Sequence, residues 1–107
     1  MSTFKNIREV YESAADCADT IRREIKYDDA DEERQQELVW QEADRRCIYT
    51  QDNWDVCNIM RGSNETYEAV DMVSPFNEHD SIDEYMTALA YAIWEQLIRE
   101  ALNEEDA

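Results

Sequence analysis

Apolar residues recur at steps of three and four along most of this chain, which is the spacing of one face of an α-helix. In the first segment, about residues 3–26, we predict one long helix of roughly 35 Å at a rise of about 1.5 Å per residue. Its predicted core-facing stripe consists of Phe4, Ile7, Tyr11, Ala14, Ala18, Ile21 and Ile25. Another face repeats the same steps with acidic residues, namely Glu9, Glu12, Asp16 and Asp19.

Two shorter helices are predicted in the middle of the chain. The first, about residues 31–47, follows the acidic break YDDADEE, whose carboxylates suit the positive end of a helix dipole. Its predicted inner face holds Val39, Trp40, Ala43 and Cys47. The next helix is capped by Thr50 or Asp52 and stops at Gly62, because glycine adopts the left-handed backbone without penalty. Its inner face is predicted to hold Trp54, Cys57 and Met60.

The last two predicted helices flank the one clear loop, residues 75–80. A short helix begins at Ser63 or Asn64 and ends before Pro75, because the residue preceding a proline is pushed out of the helical region. Its predicted inner positions are Tyr67, Val70 and Val73. A capping box of Ser81 and Glu84 begins the final helix, which extends to about Leu102. Its predicted inner positions are Ile82, Tyr85, Leu89, Ile93, Trp94, Leu97 and Ala101, and residues 103–107 are expected to fray as an acidic tail.

These elements predict an all-α fold, because no stretch alternates apolar and polar residues as a strand does. We expect about five helices in a compact bundle with an acidic surface, with long first and last helices framing shorter ones. A length of 107 residues allows one core, so residues 1–107 are predicted to form a single acidic helical domain.

The charge balance changes this picture from an ordinary helical bundle to a binding protein. The chain has 27 Asp and Glu against 10 Lys and Arg, a formal net charge of −17 with a pI near 4.1. Such a charge repels nucleic acid and anionic lipid and attracts basic surfaces, so the expected partner is a basic protein. Disorder is the alternative, because high charge accompanies few large aliphatic residues. The helical spacing, with only one Gly and one Pro, favours an ordered chain.

Residues that could support catalysis or hold a metal are sparse. His79 is the only histidine and lacks the Glu three positions earlier that helical di-metal sites use. The acidic run from Asp28 to Glu33 lacks the alternation and central Gly of a calcium loop. Cys17, Cys47 and Cys57 form an odd set without C-x-x-C spacing, which favours a reducing cytoplasm and small buried or free thiols. We therefore predict no enzyme activity, cofactor or metal, and no membrane segment.

Unopposed carboxylates point to a specific use of the charge. Like charges at i and i+4 destabilise a helix, so runs of acid without Lys or Arg suggest that another function benefits from them. Duplex DNA carries about one charge per 1.7 Å of its axis, so −17 corresponds to roughly 29 Å of duplex, close to the length of the first helix. The carboxylates predicted to stand in for phosphates are Glu9, Glu12, Asp16, Asp19, Asp28, Asp29, Asp31, Glu32, Glu33, Glu37, Glu42, Asp44, Asp83, Glu84, Glu95, Glu104 and Glu105.

Three stretches of the chain share features with a known family. IKYDDADE, residues 25–32, precedes LVWQEADRRCIYTQDNWDV, residues 38–56, in which the matching positions are Leu38, Ala43, Asp44, Tyr49 and Asp52. In ALAYAIWEQLIREALNEEDA, residues 88–107, the matching positions are residues 93–97, in a late helix before an acidic tail. These stretches, nearly half of the chain together, resemble the phage Ocr-like antirestriction family. Val39 stands where the family often has His, and the acidic tail is shorter. The resemblance implies an all-helical, dimeric DNA mimic that occupies the DNA channel of type I restriction–modification enzymes.

Two functions are therefore weighed from the sequence. The first is a DNA mimic, working in the host cytoplasm, that inhibits a host defence enzyme such as a type I restriction–modification or CRISPR-like complex. The alternative is an acidic adaptor or antitoxin-like protein that neutralises a single basic partner through an apolar groove. Affinity graded by charge would favour mimicry, whereas one or two aromatic hot spots such as Trp54 or Tyr67 would favour the adaptor.

Overall fold

The computed structural model describes residues 5–24 and 31–104, and within these ranges it confirms the all-α prediction. The α-helices are α1 (Ile7–Glu24), α2 (Glu32–Arg46), α3 (Thr50–Ile59), α4 (Asn64–Met72) and α5 (Ile82–Glu104), with a 3-10 turn at Phe76–Glu78. No strand occurs among the residues described. The predicted acidic residues Asp28, Asp29 and Glu105 lie outside the described residues, as do Phe4, Ile25 and the side chain of Glu104.

Helix α5 is the centre of the bundle, since it packs against each of the other four helices. Such a helix needs apolar residues on more than one face, and α5 has them. Its fully buried side chains include Ala90, Ile93, Trp94, Leu97, Ile98 and Leu102. The predicted inner residues Leu89, Ile93 and Leu97 are confirmed, whereas Ile82 in the first turn is 48% exposed. No helix in the described ranges is long and apolar enough to cross a membrane.

The inner face of α1 differs in part from the predicted stripe. The buried residues are Val10, Ser13, Ala14, Cys17, Ala18 and Ile21. Ala14, Ala18 and Ile21 were predicted, but Ile7 and Tyr11 are 42% and 41% exposed. Val10 and Cys17 satisfy the same helical steps around Ala14, so spacing alone does not separate the two stripes. Packing against α5 selects the stripe that contains Val10.

Helix α2 has the predicted ends and, apart from Trp40, the predicted inner face. Asp31 caps it by accepting a hydrogen bond from the Arg34 backbone N–H at 2.8 Å. Val39 and Ala43 are buried as predicted, and Leu38 is buried beside them. Trp40 was predicted to point inward, which is wrong, because it is 50% exposed. It is one residue past Val39 and therefore about 100° further around the helix.

Helix α3 begins without the predicted side-chain cap. Tyr49 occupies the capping position and makes no capping hydrogen bond from its side chain, so the expectation of Thr50 or Asp52 as cap is wrong. The buried Asn53 amide instead donates hydrogen bonds to the Cys47 carbonyl at 3.2 Å and to Thr87 Oγ1 at 3.3 Å. This side chain ties the turn between α2 and α3 to the central helix.

Helix α4 begins and ends as predicted, but of its three predicted inner residues only Val73 packs against the core. Gly62 has a positive φ of 85°, and the Ser63 hydroxyl caps α4 by accepting from the Thr66 N–H at 3.2 Å. The fully buried apolar residue of α4 is Ala69, whereas Tyr67 and Val70 are 65% and 43% exposed. A helix of nine residues offers few positions from which to judge its inner face, and here a small residue allows close approach to α5.

The capping box at the start of α5 is present with one shift. The Ser81 hydroxyl accepts from the Glu84 N–H at 3.2 Å, as predicted. The Glu84 carboxylate accepts from the backbone N–H of Asp80 at 3.0 Å, one residue earlier than a standard capping box requires. The backbone N–H and the carboxylate of Glu84 thus both help to fix the start of the central helix.

A candidate partner-binding surface on α2 and α5

The acidic face of α1 lies away from the core. Glu12 and Asp16 are exposed and Asp19 is half-buried, at spacings that place all three on one side of the helix. Glu12 pairs with Arg8 at 3.1 Å, whereas the side chains of Asp16 and Asp19 make no ion pair with any other described residue. Glu9, one turn earlier, accepts from the Lys5 backbone N–H at 2.6 Å. These carboxylates therefore lie on the part of α1 that faces away from the core.

Four predicted carboxylates are exposed on the first turns of α2. They are Asp31, Glu32, Glu33 and Glu37. Asp31 is engaged as the helix cap, and Glu37 pairs with Arg34 at 3.1 Å. Glu32 and Glu33 make no hydrogen bond or ion pair through their side chains with the residues that the structure describes. Because both sit at a helix N-terminus, the helix dipole stabilises their charge.

Two predicted carboxylates further along α2 have local structural partners. Glu42 is 7% exposed and pairs with Arg45 at 3.1 Å, so it offers little surface to a partner. Asp44 accepts a hydrogen bond from the Tyr91 hydroxyl of α5. This hydrogen bond, together with burial, raises the pKa of Tyr91 to about 12. Asp44 therefore helps to hold α2 on the central helix.

The two acidic residues in the first turn of α5 also have structural roles. Asp83 accepts a hydrogen bond from Trp54 Nε1 at 2.7 Å, which joins α3 to α5. Glu84 belongs to the capping box. Both side chains remain exposed, so each keeps carboxylate surface that a partner can reach.

Acidic and aromatic side chains meet along one line where α2 lies on α5. Glu33, Glu37, Trp40 and Asp44 follow each other at steps of four, three and four, so they share a face of α2. Trp40 stacks on Tyr91 of α5, with ring centroids 6.3 Å apart and 14° between the planes. Glu95 lies one turn after Tyr91. We call these six residues the α2–α5 strip: Glu33, Glu37, Trp40, Asp44, Tyr91 and Glu95.

Two cavities adjoin the α2–α5 strip and share Trp40 and Glu95. The larger is an open, mostly apolar groove of about 500 Å³ between α2, α4 and α5, lined by Trp40, Met72, Val73, Ser74, His79, Ala88, Tyr91, Ala92 and Glu95. The smaller, of about 300 Å³, is polar and is lined by Glu33, Gln36, Glu37, Trp40 and Glu95. An apolar surface and a carboxylate-lined surface thus meet at Trp40 and Glu95.

Glu95 is the carboxylate of the α2–α5 strip whose charged form is least stabilised by its surroundings. It is half-buried, and burial raises its pKa, with Arg99 one turn away opposing the shift. Its side chain makes neither a hydrogen bond nor an ion pair within 4 Å among the described residues. A carboxylate that has lost water without gaining a cation is destabilised at neutral pH.

Sequence reasoning found the four carboxylates of the α2–α5 strip and missed its two aromatic residues. Trp40 was placed in the core, and Tyr91 was not singled out. One signal was available: Trp40 follows Glu33 and Glu37 at the helical steps that group them on one face. Trp54, named as a candidate hot spot, is half-buried and bonded to Asp83, whereas Tyr67 is exposed on α4 away from the α2–α5 strip.

The remaining reactive side chains do not assemble into a further site in the ranges described. Cys17, Cys47 and Cys57 are buried free thiols, and burial raises the pKa of Cys47 and of Cys57 to about 12. These thiols are therefore poor nucleophiles. Within residues 5–24 and 31–104, no group of three or more His, Cys, Asp or Glu side chains could hold a metal ion.

No family model matches the chain, and neither a curated protein nor a solved structure matches it. The resemblance of residues 38–56 and 88–107 to Ocr-like proteins therefore stays a prediction. Its consequences for function enter below as proposals.

Proposed function

We propose that this protein is a DNA mimic that occupies the DNA-binding groove of a basic protein. The observation that supports this most directly is charge per length. The described residues contain 23 Asp and Glu against 9 Lys and Arg, so their net charge of −14 over a long axis of 39 Å gives one charge per about 2.8 Å, compared with about 1.7 Å in duplex DNA. A groove that attracts duplex DNA would attract this protein by the same long-range field.

The proposed contacts replace phosphates by carboxylates held on rigid helices. Neighbouring carboxylates three or four residues apart lie about 5–6 Å from each other, as on α1 from Glu12 to Asp19. Each can accept charge-assisted hydrogen bonds from Lys or Arg of the partner. Of the proposed carboxylates that the structure describes, three are held in ion pairs, which are Arg8–Glu12, Arg34–Glu37 and Arg45–Glu42. The outward charge is therefore left for a partner.

The target that we propose is a host defence enzyme that must hold DNA, a type I restriction–modification enzyme or a CRISPR-like complex. This choice rests on the Ocr-like resemblance in residues 38–56 and 88–107. It places the protein in the cytoplasm of a bacterial host during phage infection, with a homodimer extending the charged surface. Direct binding to nucleic acid or to anionic membrane is disfavoured by the same negative charge.

Capture from a bacterial extract tests the proposal. The immobilised chain is exposed to extract at physiological salt, and bound proteins are released first with short duplex DNA and then with high salt. We expect DNA to release enzymes that bind DNA, because the chain and the duplex compete for one groove. Retention of only ribosomal and housekeeping basic proteins, with no DNA-binding enzyme released by duplex, would contradict the proposal.

The acidic adaptor remains a second candidate because the structure has an apolar groove with an exposed tryptophan. Trp40 is 50% exposed at the edge of the groove, and DNA has no counterpart to it. An adaptor would depend on one or two such aromatic contacts and hardly on charge elsewhere. Replacing carboxylates on α1, which is far along the chain from the groove, distinguishes the two functions. A DNA mimic would lose affinity for its partner with each charge removed, whereas an adaptor would not.

A further inference from the structure

The indole of Trp40 is positioned for contact with a partner. One of its faces is turned to Tyr91, while half of the side chain is open to solvent at the junction of the apolar groove and the acidic pocket. A chain that is poor in large apolar residues leaves one of its three tryptophans half outside the core. An exposed aromatic next to a groove is typical of the residues that carry binding energy.

The acidic pocket beside Trp40 has the chemistry of a site for an arginine side chain. Glu33 is unpaired among the described residues, and Glu95 is half-buried without an ion-pair partner. A guanidinium can stack on an indole face while its N–H groups reach carboxylates on either side. Lysine suits the pocket less well, because an ammonium is more strongly hydrated and has no planar face. An incoming cation would also compensate the lost hydration of Glu95.

The groove on the other side of Trp40 suits an aliphatic side chain. Its walls include Met72, Ala88 and Ala92, and Met72 is 55% exposed. A thioether side chain adapts its shape to different apolar neighbours. A volume of about 500 Å³ exceeds the size of a leucine or methionine side chain, so a short segment of chain can lie across it.

We propose that the α2–α5 strip and its groove bind a segment of the basic partner in which an arginine is next to an aliphatic residue. The arginine enters the pocket between Glu33, Trp40 and Glu95, and the aliphatic side chain enters the groove against Met72. This inference rests on the proposed function, since it takes the partner to be a basic protein. It adds a contact that DNA does not make, and so a means of selecting one basic protein among many.

Binding of two peptides of equal charge to the full chain tests the inference. Both are acetylated and amidated, and each contains two arginines. In one, a leucine follows each arginine, and in the other a serine replaces each leucine. We expect the leucine peptide to bind about tenfold more tightly by calorimetry at physiological salt. In an NMR titration, its largest shift should be at the indole N–H of Trp40.

Matched variants locate the site. Trp40→Ala and, independently, Met72→Ala should abolish the preference for the leucine peptide, whereas Tyr67→Ala, which removes a more exposed aromatic on α4, should keep it. Glu95→Gln should weaken both peptides more than Glu68→Gln, which removes the same charge from an exposed position. Circular dichroism identifies any variant that has lost its fold. If either Trp40→Ala or Met72→Ala fails to fold, the other of the two tests the inference.

Three outcomes would overturn the inference. They are equal affinity for the two peptides, equal effects of Trp40→Ala and Tyr67→Ala, and no binding of either peptide. A failure of the proposed function would be detected in a different experiment, because competition with duplex DNA is measured on the protein target and not on the peptides. If the Trp40→Ala variant still competes with duplex DNA but no longer prefers the leucine peptide, the substitution has removed the groove contact and left the DNA mimicry intact.

Discussion

Trp40 of α2 and Tyr91 of α5 lie nearly parallel, with 6.3 Å between ring centroids, and the Tyr91 hydroxyl donates to Asp44 one turn further along α2. The two contacts fix the outer edge of α2 on the central helix. They also hold the exposed indole in one place. An aromatic that is already positioned loses less conformational entropy when it binds.

Removal of the Tyr91 hydroxyl tests whether this contact stabilises the fold. Tyr91→Phe keeps the ring stack and deletes the hydrogen bond to Asp44. We expect the free energy of unfolding in urea to fall by about 1 kcal/mol, because the bond is charge-assisted but partly solvated. Tyr67→Phe is the control, since the Tyr67 side chain is exposed on α4. Equal effects of the two substitutions would show that the Asp44 bond contributes nothing.

Glu95 should make stability depend on pH. Burial raises its pKa in the folded state above the unfolded value, so its favourable contribution is complete below the unfolded pKa and is lost as pH rises through the folded pKa. Glu95→Gln should therefore stabilise the protein at pH 7, with an advantage that shrinks as the pH falls towards the unfolded pKa of about 4.3. Urea unfolding across this range measures it. Glu68→Gln, at an exposed position, is the control. If the two substitutions changed the free energy of unfolding equally, and neither effect varied with pH, the assignment of the pH dependence to Glu95 would be contradicted.

Two tryptophans should differ sharply in their contribution to stability. Trp94 is fully buried in the central helix, and Trp94→Ala should cost about 3–5 kcal/mol through the cavity it leaves. Trp40→Ala should cost about 1 kcal/mol, since it removes one exposed ring stack. Thermal unfolding followed by circular dichroism compares them. Similar losses of midpoint temperature would mean that Trp40 belongs to the core.

The buried thiols should be protected in the native state. Burial raises the pKa of Cys47 and of Cys57 to about 12, so hardly any thiolate is present at pH 8. We expect a thiol-reactive probe to modify them only as fast as the protein opens, and rapidly in urea. Rapid labelling in buffer, under conditions where circular dichroism shows an intact fold, would contradict their placement in the core.

The sequence predicted the helices well because their ends depend on local chemistry. Ser63 and Ser81 cap α4 and α5 where the sequence places them, and α5 is recognisable from its long apolar pattern. Gly62 has the predicted left-handed backbone, but α3 already ends at Ile59 and lacks the predicted side-chain cap. The inner faces were less predictable. Short helices such as α4 fit more than one inward face, so Tyr67 was placed wrongly.

Tertiary contacts decide which acidic and aromatic residues form the candidate surface. The sequence identified the carboxylates as a set, yet nothing local distinguishes the buried Glu42 from the exposed Glu37 five residues earlier. The exposure of Trp40 depends on where α2 rests on Tyr91, which is 51 residues away along the chain. The helical steps group Trp40 with Glu33 and Glu37, but they carry no information about the contact with Tyr91.

Competition with DNA for a captured DNA-binding enzyme tests the central claim most directly. A labelled duplex is bound to the enzyme, and its fluorescence anisotropy is followed as this protein is added at several salt concentrations. We predict full displacement, a salt dependence as steep as that of the duplex, and an affinity that falls step by step as Glu12→Gln, Asp16→Asn and Asp19→Asn are added one after another. A ternary complex in which the duplex stays bound, or an affinity that ignores both salt and these three charges, would contradict it.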